Sequence, residues 1–163
     1  MAISQTEFDQ ILHDLNEAVS RVEALIRRVP ADRWGDVVHT GEGAWTRREL
    51  LAHMAANDIR QLVRVRIGAG IPEPDDPATH EQELNVHEWN RARVSERAGS
   101  ETEHLIEEMR ENREKLVGLL RGLTLEQRDR PMPFRGTPTP LAVMVPILIG
   151  HLDSHAQELV AGL

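Results

Sequence analysis

The stretch SQTEFDQILHDLNEAVSRVEALIRRVP, residues 4–30, determines the fold class of this chain. Its apolar side chains recur every three or four residues and form one stripe of a helix: Phe8, Ile11, Leu12, Leu15, Val19, Val22, Ile26 and Val29. Ser4 and Glu7 have the spacing of a capping box, and Pro30 marks the far limit. The stretch therefore predicts a long helix that buries one side against other elements.

A second helix is predicted from Thr46 onward. Thr46 and Glu49 form another capping-box pattern, and the apolar positions that follow continue to about Ile67. Gly68 and Gly70 come next, and two glycines this close together favour the end of a helix.

The second half of the chain contains a weak helical signal over residues 81–98 and a stronger one after it. Ser100 with Glu103 is a third capping-box pattern, which opens an amphipathic run rich in leucine. The last helix is expected to start near Pro138, because proline is favoured in a first turn, and to reach the C-terminus. Pro146 lies within this run and predicts a kink or a later start.

The segments between these helices are rich in glycine, proline and aspartate. We expect loops at residues 31–44, at residues 68–80 and in the proline-rich segment RDRPMPFRGTPTP, and no strand. Four amphipathic helices of similar length favour an all-α fold, a four-helix bundle formed by one domain over residues 1–163. The long connection between the second and third long helices would let those two run parallel, in an up-down-down-up order.

Composition argues against several functions. A net charge of -8 disfavours nucleic acid as a partner, because binding to phosphates needs a basic surface. The chain has no cysteine, so any metal must be held by His, Asp or Glu. No apolar run reaches the ~20 residues of a membrane-spanning helix, and the N-terminus lacks the order of a signal peptide. We therefore expect a cytoplasmic protein with no membrane partner.

Two of the eight histidines lie on the apolar side of the last helix. His151 and His155 are one turn apart, and they share a sector with apolar residues: Ile147, Leu148, Leu152 and Leu159. A buried imidazole needs partners for both ring nitrogens, and a divalent metal ion is one such partner. Hydrogen bonds from neighbouring groups are the other. Spacing alone leaves both interpretations open.

A metal site of this kind needs a third ligand from elsewhere. His53 is the best candidate, although periodicity places it at the boundary of the apolar face and favours partial exposure. Asp58 and Glu158 are the alternatives. Glu158 also suits an acceptor for the N–H of a ligating imidazole.

Helix two carries a polar line formed by His53, Asn57, Arg60 and Arg64. The two arginines could attract an anionic substrate, but solvated surface arginines are the favoured interpretation. The other histidines are interpreted as surface residues: His13, His39, His80, His87 and His104.

Two segments, WTRRELLAHM (45–54) and GHLDSHAQEL (150–159), resemble the DinB-like superfamily. That group includes the YfiT-like metal hydrolases and the N-terminal domain of mycothiol-dependent maleylpyruvate isomerase. The residues that match its pattern in order and rough spacing are Trp45, Thr46, Glu49, His53, His151 and His155. The segment EWNRARVSERAGSETEHLIEEM (88–109) is also similar to the middle region of the family, with Asn90 in a typical place.

The resemblance implies an up-down-down-up bundle with a divalent metal ion held by His53, His151 and His155. It implies zinc or nickel, a small-molecule substrate, and an enzyme that activates water or an external low-molecular-weight thiol, as thiol S-transferases do. Dimers are common in this superfamily, so the resemblance also implies a homodimer. Hydrolases and isomerases occur in it too, and we rank them below a thiol S-transferase. The alternative is a non-catalytic metal-binding or stress-response module that acts as a dimer.

Overall fold

A computed structural model describes residues 3–40, 43–72 and 85–163, and most of these residues are helical. The helices are α1 (Gln5–Ile26), α2 (Arg47–Ala69), α3 (Val86–Glu96), α4 (Thr102–Arg121), α5 (Leu125–Asp129) and α6 (Leu141–Val160). The strands are β1 (Val37–His39), β2 (Trp45–Thr46), β3 (Met132–Phe134) and β4 (Thr137–Thr139). His80 and the beginning of the helix expected from residue 81 lie outside the described residues.

Capping boxes begin α1 and α2 as predicted. The third predicted box is wrong, because α4 begins after Glu101 and has no side-chain cap. Ser100 lies outside that helix, and its carbonyl oxygen accepts a hydrogen bond from Arg48 Nη1 at 3.2 Å. Boxes at Asn85 and Thr124 begin α3 and α5. Side-chain caps therefore fix the start of most of the described helices, since they satisfy backbone N–H groups that have no partner within the helix.

The direction of each long helix follows from which helix ends share a core. One buried cluster joins the C-terminal halves of α1 and α6 to the N-terminal halves of α2 and α4, and it includes Val22, Leu51 and Leu159. A second cluster joins the opposite ends and includes Leu12 and Met144. Helices α1 and α6 therefore run parallel to each other and antiparallel to α2 and α4. This confirms the up-down-down-up four-helix bundle.

The expectation of no strand is wrong, because the described residues contain two hairpins. Strand β1 lies in the first predicted loop and β2 at the start of the second predicted helix, whereas β3 and β4 both lie in the proline-rich segment. Strand β1 pairs antiparallel with β2, and β3 pairs with β4. The second hairpin turns through Arg135 and Gly136, which have φ angles of 49° and 76°. Positive φ at both positions matches the twist of a tight hairpin. Proline disfavours strands in general, but a two-stranded ribbon tolerates it because each strand is an edge.

Helix α2 is longer than predicted because Gly68 does not end it. The helix continues to Ala69, and Gly70 follows with a left-handed φ of 66°. Gly68 is instead a packing position, since a Cβ there would lie 2.9 Å from the Met132 Cα on β3. Glycine lets the β3–β4 hairpin lie directly against α2.

Helix α6 starts at Leu141, later than expected, because Pro138 belongs to β4. Pro146 was predicted either to kink this helix or to delay its start. The second prediction is wrong, because Pro146 lies inside α6. Although α6 is the most apolar of the long helices, no helix within the described ranges is long and apolar enough to cross a membrane.

Candidate metal centre

The helices that carry the candidate ligands meet near one end of the bundle. His53 lies in the second turn of α2, and His151 and His155 lie in the C-terminal half of α6. Because α2 and α6 are antiparallel, the start of α2 and the end of α6 lie at the same level. The topology therefore brings together three histidines that are far apart in the sequence.

Arg47 fixes the alignment of these two helices. Its buried guanidinium, in the first turn of α2, donates hydrogen bonds to the carbonyl oxygens of Leu159 and Ala161, the second at 2.9 Å. The carbonyls at the end of a helix have no partner within it, and a cation there also complements the helix dipole. The role of Arg47 was not predicted from the sequence. The available signal was a basic residue in a first turn, where acidic residues are preferred.

The three imidazoles converge on one region. The ring centroids of His151 and His155 are 4.3 Å apart, and that of His53 lies 5.1 Å from His155 and 5.8 Å from His151. One nitrogen from each ring can be chosen so that all three lie within 4.8 Å of one another. Two nitrogens bound to one zinc ion can be at most about 4.2 Å apart, since each bond is about 2.1 Å. Small side-chain adjustments would therefore complete a ligand set.

His53 is buried, with 5% of its surface exposed, so the prediction of partial exposure is wrong. The cause is β2, whose Trp45 ring lies 5.0 Å from the His53 ring and covers it. Within the described residues, Nδ1 of His53 and both ring nitrogens of His155 are buried without a hydrogen-bond partner. Unpaired buried nitrogens are costly. They fit a metal ligand better than a histidine pair satisfied by hydrogen bonds.

Burial also keeps these imidazoles neutral. It lowers the pKa of His53 to about 3, with the neighbouring histidines adding to the effect, and lowers the pKa of His155 to about 4. The pKa of His151 is lowered chiefly by burial and then by the charge of Arg135. A neutral imidazole offers its lone pair without first losing a proton, so all three rings are ready to bind a metal at neutral pH.

His39 also belongs to this site, so its interpretation as a surface residue is wrong. Its ring stacks on Trp45 with centroids 5.2 Å apart, and its Nδ1 lies 2.6 Å from Glu158 Oε2. The other oxygen of Glu158 lies 3.5 Å from His155 Nδ1, without the alignment of a hydrogen bond. His39, His155 and Glu158 thus form a second group of donors that shares one histidine with the first.

A cavity of about 670 Å³ opens beside the three-histidine group, and His53 and His151 form part of its wall. The wall continues along α2 through Asn57, Arg60 and Arg64, and includes parts of α3 and of the β3–β4 hairpin. The two arginines are partly buried, so their interpretation as solvated surface residues is wrong. The polar line on helix two is therefore one wall of a chamber that reaches the histidines.

Comparison with known proteins gives the family. The sequence model of the DinB superfamily matches residues 38–159, a range that includes His39 and the three converging histidines. The chain belongs to the DinB superfamily. No curated protein matches it.

One solved structure is similar to this DinB-superfamily chain: YfiT from Bacillus subtilis, described as a probable metal-dependent hydrolase with an unusual four-helix bundle topology. The two structures superpose with a TM-score of 0.67 at 17% sequence identity, over 97% of this chain and 86% of YfiT. At this identity the likeness establishes the shared fold.

In this DinB-superfamily chain, Asp58 lies away from the cavity wall. Its buried carboxylate pairs with the guanidinium of Arg113 on α4, which also donates to the Leu15 carbonyl of α1 at 2.9 Å. The ion pair therefore connects three helices of the bundle. This position suits a structural role better than the ligand or substrate roles considered from the sequence.

The remaining polar candidates have distinct positions. Asn57 is buried on the cavity wall, where its amide oxygen accepts from Gln61 at 3.4 Å. His13 and His104 are exposed as predicted. His87 is exposed too, but it also lines the cavity, a position that its sequence context did not predict.

Proposed function

We propose that this DinB-superfamily chain is a metal-dependent enzyme that holds one divalent ion through His53, His151 and His155. One observation carries the proposal: buried ring nitrogens that find no hydrogen-bond partner among the described residues lie together beside a cavity. A histidine cluster that served only the core would have those nitrogens paired within the protein.

The donor set favours zinc or nickel, since imidazole suits both ions. Three neutral ligands leave the ion its full charge. Three protein ligands are typical of catalytic zinc sites, whereas structural sites have four. When bound, such an ion would make a coordinated water or thiol acidic enough to serve as a nucleophile near neutral pH.

Other side chains would prepare the site for a reaction. His53 and His151 lie on the cavity wall, so a molecule in the cavity can reach the ligand group. Trp45, which is not part of that wall, covers His53 and excludes water from its other side. Glu158 faces Nδ1 of His155 and is placed to accept its N–H, which would fix the orientation of the ring.

Two nucleophiles are compatible with this site. The description of YfiT as a probable metal-dependent hydrolase favours water. The resemblance to thiol S-transferases favours a thiol, which must be external because the chain has no cysteine. A cavity of about 670 Å³ has the volume of a site for a small organic molecule, which either reaction requires. We therefore favour the thiol on the family resemblance.

Elemental analysis of the purified protein tests the metal site. We expect zinc or nickel in a stoichiometric amount, and its loss in the His151→Ala/His155→Ala double variant. The matched control, His13→Ala/His104→Ala, removes two exposed histidines and should retain the metal. Equal metal contents in the two double variants would refute the three-histidine site.

Two assays on the metal-loaded protein separate the nucleophiles. One combines low-molecular-weight thiols with a dinitrophenyl halide and measures thioether formation; the other measures hydrolysis of nitrophenyl esters. Thioether formation that is lost in His53→Ala supports the thiol reaction. Ester hydrolysis with the same dependence assigns water instead. Full metal occupancy with neither activity on any substrate tried would count against catalysis.

A non-catalytic metal-binding module is the second candidate, because His39 and Glu158 place two more donors beside His155. Either could complete a closed four-ligand site of the structural kind. X-ray absorption spectroscopy counts the histidines around the bound metal. A fourth protein ligand that disappears in His39→Ala would favour this candidate, and light scattering would test the homodimer expected from the family resemblance.

A further inference from the structure

We propose that the cavity binds a small organic anion, with the guanidinium groups of Arg60, Arg64 and Arg135 contacting its anionic group. The exposed apolar side chains of Ile67, Val86 and Ile147 would contact its apolar part. The proposal rests on the proposed function for what happens at the reacting end of this molecule, but binding of the anion does not itself require the metal.

The charge of the cavity wall is opposite to that of the protein. The chain has a net charge of -8, yet the described part of the wall contains three arginines and neither Asp nor Glu. Burial, and then the charges of Arg60 and Arg135, lower the pKa of Arg64 to about 10. Cations gathered in a partly buried place without a counter-charge destabilise a protein. An anionic ligand would supply that counter-charge.

The hydrogen-bond partners of these arginines differ from those of a structural arginine. The buried Arg113 is neutralised by Asp58. By contrast, Arg60 Nη1 is buried without a hydrogen-bond partner among the described residues. Arg64 Nη1 donates to the neutral amide of Gln61 at 3.0 Å. The described residues thus leave donor capacity and positive charge unused on the same wall.

Aromatic faces hold the guanidinium groups in position. Arg60 Cζ lies 5.4 Å from the centroid of the Trp89 ring, and the Cζ atoms of Arg64 and Arg135 lie 5.2 Å and 5.3 Å from that of Phe134. Such contacts order the flat guanidinium group before a ligand arrives. Three other apolar side chains of the cavity wall, Ile67, Val86 and Ile147, are each about 40% exposed. A bare inorganic anion would leave them uncovered, which favours an anion with an organic part.

The positions of the arginines indicate that the ligand has two separate ends. Arg60 follows His53 by two turns of α2, roughly 10 Å along the helix axis. Arg60 and Arg64 would therefore hold the anionic group away from His53, with Arg135 contacting it from the β3–β4 hairpin, while the rest of the molecule extends toward His53 and His151. Binding at a remote anionic group is an efficient way to position a reacting group, because the entropy of alignment is then lost before the reaction.

Isothermal titration calorimetry on the metal-free protein tests the proposal. The probe is 4-phenylbutyrate, and the control compound is 4-phenylbutanamide, which has a similar shape but no charge. We expect the carboxylate to bind at least tenfold more tightly than the amide, and that preference to fall at least tenfold in Arg64→Gln. Arg135→Gln, at an exposed turn, provides a second variant in case Arg64→Gln does not fold. The matched control is Arg121→Gln, an exposed arginine outside the cavity, which should leave binding unchanged.

Two further probes define the anion. 3-Phenylpropylphosphonate, if it is preferred over the carboxylate and shows the same dependence on Arg64, assigns a phosphoryl group and supports the proposal. If inorganic phosphate binds as tightly as either organic probe, the inference that the ligand has an organic part would be overturned. Three results would each overturn the proposal that the cavity binds an organic anion through its arginines. They are equal binding of acid and amide, unchanged binding in both arginine variants, and no binding of any organic acid at millimolar concentration. These results are independent of metal content, so failure here leaves the three-histidine site standing.

Discussion

His39 Nδ1 lies 2.6 Å from Glu158 Oε2, so a hairpin near the start of the chain is bound to the last turns of α6. The second oxygen of Glu158 faces His155 Nδ1 at 3.5 Å. One carboxylate therefore lies between two imidazoles, one that it contacts closely and one that it can orient. Trp45 stacks on His39 and covers His53, which makes the β1–β2 hairpin the outer wall of the histidine group.

Replacement of Glu158 by Gln should weaken metal binding by about 10- to 100-fold, the usual cost of losing a carboxylate that orients a ligating histidine. A neutral amide cannot stabilise the imidazole N–H as a carboxylate does. Competition with a chromogenic chelator measures the affinity. Glu114→Gln, an exposed acid on α4, changes the charge equally and should leave the affinity unchanged. Equal affinities in the two variants would rule out the orienting role.

The helical part of the fold was predictable because it depends on local patterns. Capping boxes and apolar stripes located α1 and α2 closely, and the connection between the long helices was sufficient to suggest their directions. The hairpins were not predicted, because strands of two or three residues depend on pairing between segments. Gly68 was misinterpreted for a similar reason: nothing in the local sequence shows that Met132 would pack against it.

The candidate site was predictable only where one helix carries the signal. His151 and His155 share a helix, so their spacing was informative by itself. The burial of His53 depends on Trp45, and the contact of His39 depends on Glu158, so neither follows from periodicity. The available signal for His39 was the short apolar run VVH ahead of the glycine-containing segment TGEGAW, a pattern compatible with a hairpin.

Asp58→Asn should destabilise the protein by about 3–5 kcal/mol, because Arg113 would then be a buried charge without a partner. Chemical denaturation measures the change in the free energy of unfolding. Metal content should be retained at temperatures where the variant is folded, since Asp58 belongs to neither of the two donor groups. Asp58→Leu/Arg113→Met removes both charges and should recover much of the stability. A folded Asp58→Asn variant without metal would instead make Asp58 part of the metal site.

Gly68→Ala should destabilise the bundle by about 1–3 kcal/mol, because the added methyl group overlaps Met132 and forces β3 away from α2. The matched control is Gly118→Ala on α4, where a Cβ would have no neighbour within 4 Å. Alanine is the better helix former, so this second substitution should stabilise by about 1 kcal/mol. The two substitutions are chemically identical. If they shift the midpoint of thermal unfolding in opposite directions, the difference is due to packing. A shift of the same sign in both would contradict the tight contact.

The stability of the metal-free protein should fall as the pH decreases from about 7 toward 4. Burial lowers the pKa of His53 to about 3 and that of His155 to about 4, whereas both take up protons near pH 6.5 once unfolded. In this window the unfolded chain binds protons that the folded chain does not, so the free energy of unfolding falls with each unit by which the pH is lowered. The slope should approach about 1.4 kcal/mol per pH unit for each histidine that stays neutral.

A comparison with His53→Gln isolates the contribution of His53 to this slope. Glutamine does not titrate, so the free energy of unfolding of the variant should fall less steeply than that of the wild-type chain between pH 6 and 4.5. The difference in slope should reach at most about 1.4 kcal/mol per pH unit, the value for one proton. Denaturation in the presence of a chelator over that range measures both curves, and carboxylate titrations common to the two proteins cancel in the difference. His104→Gln replaces an exposed histidine and should run parallel to the wild type. If the His53→Gln curve also ran parallel, His53 would titrate alike in the folded and unfolded chains, and its burial could not be what keeps it neutral.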